Sequence, residues 1–348
     1  MGRFILRRVG VMLLTALCLT LIVFYMTNLA PNLEKLAKTQ GNFKMSDSEV
    51  ATYLADHGYA QPTLVKYGQW LGVLPGYVIT GGDDVTRAKC AKGGVATPDT
   101  PRFCGVFQGE WGSSTTLKKD VDAVIADKLS LTGKLMFWVL VLMIPSALLL
   151  GIFAGMREGS RTDRTLSTVA ITTSATPEYV SGVLLIAIFA SSAVGLKWFK
   201  GTATSAMDSA NFENFFLPVL TISLYGMGYI ARMTRASMAE VMTSQYIRTA
   251  RLKGVSFPNI VLKHALRNAL IAPFKVIMLQ FPWLLNGVVI VETLFNYKGF
   301  GAAMVLAASN NDIDLLLGIS VIAVIVVLLT QLISDIGYVW LNPRISVT

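Results

Sequence analysis

The chain has 348 residues, of which 53% are hydrophobic and 15% charged, with a mean hydropathy of +0.56 and a formal net charge of +9. It is too apolar for an ordinary soluble domain and long enough for several membrane spans. Nucleic acid is not the partner the charge implies, because about +11 falls on 1–8, 156–168, 232–267 and 338–348, while 31–130 carries eleven basic and eleven acidic residues. Lys and Arg concentrate on the cytoplasmic side, so those four segments and both termini are expected inside and 31–130 outside.

Residues 1–8, MGRFILRR, are a basic leader to an apolar run from Val9 to Ala30. That run can cross a hydrocarbon core of about 30 Å. A cleaved signal peptide is the competing reading, but the run exceeds the ~7–15 apolar residues of one. Pro31 is also a poor cleavage context, so a retained first span is expected. Cys18, within it, reads as a small packing residue.

The segment 31–130 opens with a short helix around Asp47–His57, continues through QPTLVKYGQWLGVLPG and reads as loop from Gly76 to Gly109. Cys90 and Cys104 enclose 13 residues of it. Outside the cytoplasm a disulfide is permitted, and closing such a loop stabilises by roughly 3 kcal/mol; two unpaired thiols are the alternative. These cysteines and the distant His57 have no metal-ligand spacing, so no metal is expected.

Leu131–Gly155 is the second expected span, with Pro145 inside it, and 156–164 is a short inner turn bearing three Arg. The third runs from Leu166 to Ala193 and holds Pro177 and Glu178. A carboxylate within a span is costly against lipid, so Glu178 is either a pathway residue or one near the outer surface or structurally paired. Trp198 in the next outer loop is an interface anchor. The fourth span, Phe215–Ala231, contains Gly226 and Gly228, which permit close helix approach.

From Arg232 to Arg267 seven basic residues face one acid, Glu240. Within this stretch Ser244 is placed as an N-cap, Tyr246, Ile247 and Ala250 share a face, and Gly254 supplies a left-handed end, which predicts a short surface helix. Ser256 and Pro258 predict a second helix behind it. Charge alone makes this a topology signal; the amphipathic pattern makes it a knob for docking on another protein. The fifth span, Ile271–Phe295, carries Lys275, Gln280, Asn286 and Glu292, too polar for lipid on all sides, so it should face a cavity or partner. The sixth is Ile313–Ile336.

YIRTARLKG followed by HALRNAL resembles the cytoplasmic loop of inner-membrane permease subunits of binding-protein-dependent ABC importers, in the oligopeptide, dipeptide and nickel branch. Leu29-Ala30-Pro31, Gln61-Pro62 with Tyr67 and Trp70, Gly109–Gly112, Glu292-Thr293 with Phe295, Gly299 and Gly301, and Asn342-Pro343-Arg344 resemble further family stretches. Where the wider family has Glu-Ala-Ala and then Gly, this chain has Arg248, Thr249, Ala250 and Gly254; Lys298 stands where Pro is common.

The resemblance implies an all-α integral membrane fold of six transmembrane helices, the type I importer permease fold. It covers nearly the whole chain except 76–107, which reads as an extracytoplasmic insertion. Three regions follow: 1–30, 31–130, and a core 131–348 with the coupling loop at 232–270. Tyr246, Arg248, Thr249, Ala250, Arg251, Lys253 and Gly254 would then couple to an ATPase, and Glu178, Gln280, Asn286 and Glu292 would follow the translocation pathway. Implied partners are a homologous second permease, two ATP-binding subunits, an extracytoplasmic solute-binding protein and membrane lipid. The chain carries no G-x-x-x-x-G-K-[ST] phosphate cradle, so ATP and Mg belong to partner subunits, and it is not expected to be an enzyme or to hold a cofactor. A stand-alone secondary transporter, and a membrane-anchored receptor or assembly protein with 31–130 as its working domain, are the alternatives.

Overall fold

The computed structural model describes residues 2–81, 85–91, 94–192 and 196–341; at 2–4, 282, 285–287 and 338–341 it describes the backbone alone. The chain is mainly helical and divides into two compact units. One comprises Met1–Val9, Leu129–Ala302 and Val326–Thr348; the other comprises Gly10–Lys128 and Ala303–Ile325.

Helix α1 is Gly2–Thr27. In the second unit it is followed by α2 (Ala30–Gln40), α3 (Asp47–Asp56) and α4 (Thr63–Leu71). Leu33, Leu36, Tyr67 and Trp70 close with Phe24, Ile313, Leu317 and Val321 into a small aromatic core. Ser46 and Glu49 cap α3 reciprocally, so its start follows from a Ser-x-x-Glu pattern. Gly72, at φ +86°, ends α4.

The stretch expected to be loop contains a hairpin. Strand β1 (Val78–Thr80) pairs antiparallel with β2 (Thr86–Ala88), Ile79 opposite Arg87. Cys90 and Cys104 are joined, with Cα atoms 5.5 Å apart. Beside them the half-buried Lys89 donates to Gln69 O (2.7 Å) and Cys104 O (3.2 Å), which ties the hairpin to the end of α4. Burial pushes the Lys89 ammonium below its ordinary pKa.

The first unit is organised about α8 (Phe212–Met242), against which α5 (Val121–Gly155), α6 (Arg161–Ala175), α7 (Glu178–Phe189) and α12 (Ile271–Leu294) pack. Leu135, Val139 and Met143 of α5, Ile222 and Ile230 of α8, and Leu284, Val288 and Val291 of α12 are buried in the core. Between α8 and α12 lie α9 (Gln245–Leu252), α10 (Phe257–Asn259), a π turn at Ile260–Ala265, and α11 (Leu266–Ala269). After α12 come α13 (Phe300–Asn310) and α14 (Ile313–Leu341).

Three expectations change. The third span is not one helix: α6 and α7 meet at 105° across Thr176-Pro177. Pro177 lacks an N–H and drives Thr176 to extended backbone (φ −82°, ψ 123°). The fourth does not end at Ala231 but runs on to Met242, because Thr234 and Met238 continue its buried stripe. The helix expected after Ser256 is interrupted by the π turn, and Ser256 makes no side-chain cap.

Among the described residues four helices, α1, α5, α8 and α14, are long and apolar enough to cross a membrane, and five if α6 and α7 together form one broken span. A Cβ on Gly228 would lie 2.3 Å from Ala170 O. Replacing Gly228 by Val should therefore push α8 off α6 at about 1–3 kcal/mol and lower the apparent melting temperature of the purified protein. Gly133→Ala, where a Cβ meets open space, should not lower it.

Candidate functional site

The basic stretch folds into α9, a two-turn helix held on the end of α8. Ile247, fully buried, and Ala250 pack on Met238 and Met242 of α8 and on Ile260, Val261, Ala265 and Ala269. Ser244 has the extended backbone of an N-cap, but its hydroxyl donates back to Val241 O at 2.6 Å and leaves the helix uncapped by a side chain. The other end is closed by the backbone. Gly254 N–H donates to Arg251 O (3.0 Å) and Val255 N–H to Ala250 O (3.2 Å), with Gly254 at φ +74°. This paired closure needs a left-handed residue, and glycine adopts that conformation without a Cβ penalty.

The outer face presents Arg248, Thr249, Arg251 and Lys253. Tyr246 is exposed on the same helix, its Oη accepting from Asn268 Nδ2 at 2.9 Å. Ala250, expected among the coupling residues, shares the buried stripe with Ile247, three residues before it, while Tyr246 is exposed. Sequence reading passed over Leu252, which is 82% exposed among these cations. An apolar residue in the last turn, off the Ile247–Ala250 stripe, was the available signal.

One turn of α8 below Met238, Arg235 forms a fork with Asp163 in the first turn of α6: Nε donates to Oδ1 (3.0 Å) and Nη2 to Oδ2 (2.8 Å). Asp163, 3% exposed, also accepts from Gly159 N–H (2.8 Å) and Ser167 Oγ (3.0 Å), and its own N–H donates to Ser160 Oγ (3.1 Å). Glu158 lies 3.4 Å from the same guanidinium. Sequence reading treated 156–164 only as a basic turn. Ser160-x-x-Asp163 is a helix-start pattern and would have marked the site.

The expected pathway residues separate. Glu292 is 0% exposed. It accepts from the Thr132 hydroxyl and from Ala302 N–H (2.8 Å), and Thr132 Oγ1 accepts from Phe300 N–H (2.8 Å). Tyr297, whose Oη donates to Leu131 O (2.9 Å), completes the fastening of the 295–302 turn to α5. Gly299 and Gly301 pass so close to the carboxylate that a Cβ would lie 2.2 Å and 3.2 Å from its oxygens. Glu292 thus holds a turn rather than lining an open path. Gln280 is buried on α12, and the side chain of Asn286 lies outside the described residues. Glu178 opens α7 directly after Pro177, half-buried, and its Oε2 is enclosed without a hydrogen-bond partner among the described residues.

No three His, Cys, Asp or Glu among the described residues are placed to hold a metal ion. Several helices long and apolar enough to cross a membrane, with a short basic helix packed on the end of one of them, make the frame of an integral membrane protein. The chain belongs to the family described as binding-protein-dependent transport system inner membrane components, whose pattern matches residues 147–347. It is 34% identical over 244 residues to the "Glutathione transport system permease protein" of Salmonella choleraesuis, covering 69% of this chain and 76% of that one. It is 31% identical over 243 residues to a protein of Sinorhizobium fredii named as a peptide ABC transporter permease, covering 69% and 77%. Among solved structures, a chain of the MetNI methionine ABC transporter in an inward facing conformation matches with a TM-score of 0.47 and 18% identity, over 64% of this chain and 96% of that one.

This is a permease subunit of an ABC importer: a multi-pass inner-membrane protein and not an enzyme, ATP hydrolysis lying in partner chains. Such a subunit works with ATPases, a substrate-binding protein and a second permease.

Replacing Thr132 by Val leaves Glu292 and the Phe300 N–H without their shared hydroxyl. The cost should be about 1–3 kcal/mol. Limited proteolysis within 295–302 and the apparent melting temperature should both report it, while Thr132→Ser should restore most of the loss.

Proposed function

We propose that this subunit imports peptides or similarly small solutes. It would do so with one homologous second permease, two ATP-binding subunits acting on Mg-ATP and an extracytoplasmic solute-binding protein. The relatives named for peptide and glutathione transport support the solute class. Six spans are counted when the bent pair is taken as one and α12 is added to the four long helices. Both termini are then cytoplasmic, as the charge asymmetry requires, and 31–130 is extracytoplasmic, where the Cys90–Cys104 bond is chemically at home.

The single observation that carries the coupling role is the build of α9. It is a short helix fixed from beneath by Ile247 and Ala250, stopped at a left-handed Gly254, with Arg248, Thr249, Arg251, Lys253 and exposed Leu252 turned outward. A rigid convex element with an apolar tip in a cationic ring suits a groove on an ATPase. Closure of the ATPases would press on α9, α8 would carry the movement, and the central path would change its open side. Glu178, Gln280 and Asn286 belong to that path, while buried Glu292 secures the turn after α12.

Copurification of the tagged chain in mild detergent should recover a second permease and P-loop ATPases. Recovery of a stable complex without an ATPase would favour a stand-alone transporter. Gly254→Val should abolish uptake while membrane insertion persists, since a β-branched residue at positive φ costs more than the ~1–2 kcal/mol typical of a left-handed L-residue. Gly254→Asn, which tolerates that conformation, should keep much of it. Leu252→Asp should weaken ATPase retention during purification at least tenfold, as loss of an interface anchor does (about 1.4 kcal/mol or more).

A further inference from the structure

We propose that the Asp163–Arg235 fork is the joint that passes displacement of α9 to the bent pair α6 and α7, and that both side chains are positioning residues for transport. The inference rests on the reading of α9 as the coupling element.

The mechanical chain is continuous. Ile247 and Ala250 seat α9 on Met238 and Met242, and α8 is unbroken from there back to Arg235. A movement delivered to the last turns of α8 therefore arrives at Arg235. There the guanidinium is bound through two nitrogens to one carboxylate, which fixes direction as well as distance. Asp163 in turn grips the start of α6 through its own cap: Gly159 N–H, Ser160 Oγ and Ser167 Oγ all bond to it. Displacing Arg235 thus displaces the first turn of α6 as a body.

Two further contacts tie the same corner. A Cβ on Gly155, at the end of α5, would lie 2.7 Å from Arg235 O, so the two backbones touch. The Arg157 guanidinium lies 5.6 Å from the centroid of the Phe257 ring, just beyond α9. The far end of α6 is the 105° break at Thr176-Pro177, after which α7 begins with the half-buried Glu178. A push at Asp163 therefore ends at the 105° break, where no continuous helix carries it further, beside a carboxylate whose one oxygen has no partner among the described residues. Lys at 235 would keep the charge but not the fork, so charge and geometry can be separated.

The test uses the assembled transporter in proteoliposomes, with transport and ATP hydrolysis measured on the same preparation. Arg235→Lys and Asp163→Asn should lower solute moved per ATP at least about tenfold while ATPase subunits stay bound and hydrolysis continues, as expected when a half-buried pair loses its fork. A merely structural staple would lower assembly and both rates together, and that result, or an unchanged ratio, overturns the proposal. Wild-type geometry is read independently from spin labels at the exposed Thr168 and Thr243. Their separation should stay constant when nucleotide binds, and should become nucleotide-dependent in Arg235→Lys. A nucleotide-dependent separation in the wild type overturns the joint. Gly254→Val distinguishes the two layers: if it too leaves transport intact, the α9 reading has failed, whereas if it uncouples and Arg235→Lys does not, only the joint has failed.

Discussion

The first unit depends on how closely other backbones can approach α8. Lipid tails are as apolar as leucine, so helices in a membrane gain little from hiding apolar surface from them and must gain from contact and hydrogen bonds. Small residues supply that contact. Gly226 and Gly228 on α8, and Gly151 and Gly155 on α5, sit where an added Cβ would meet a neighbouring helix at 2.2–2.7 Å. Gly182 does the same for α7 against Leu294. Because α8 is gripped in this way by α5, α6, α7 and α12, it can emerge as a single rod to Met242 and carry α9 at its tip.

The polar chemistry inside this frame is of two kinds. Glu292 accepts from a hydroxyl and a backbone N–H, and these bonds fasten a turn. Asp163 is satisfied by a guanidinium together with three neutral donors or caps around the start of a helix. Both acids join helices far apart in the chain, Glu292 linking α12 to Thr132 of α5 and Asp163 linking α6 to Arg235 of α8. Glu292 also holds the turn that follows its own helix, and Asp163 the turn that precedes its own.

Much of this was legible beforehand where local chemistry dictates it. Gly254 ended its helix because no other residue takes that φ so readily. Ser46 with Glu49, and Ser160 with Asp163, carried equally plain helix-start signals that went unused. The prolines were less legible. Pro145 and Pro218 sit inside continuous helices, while Pro177 breaks one. All three prolines disfavour a helical residue before them; only at Thr176 is the extended backbone realised, and nothing in the local sequence marks it apart from the other two. Glu292 was visible as a polar residue in an apolar run, but its destination was not, since its partner Thr132 is 160 residues away. The split stripe of α9, with Ala250 inward and Leu252 outward, needed the position of Met238 and Met242.

The Glu292–Thr132 bond also bears on how the protein is made. The carboxylate sits in α12, and its hydroxyl donor sits in α5, which leaves the ribosome much earlier. A carboxyl group entering the bilayer with its hydrogen bonds incomplete is expensive, so α12 settles more readily where α5 is already in place. Synthesis from the amino end supplies that order. A fragment beginning after α5 would carry the acid into the bilayer without the Thr132 hydroxyl that holds one of its oxygens in the complete chain.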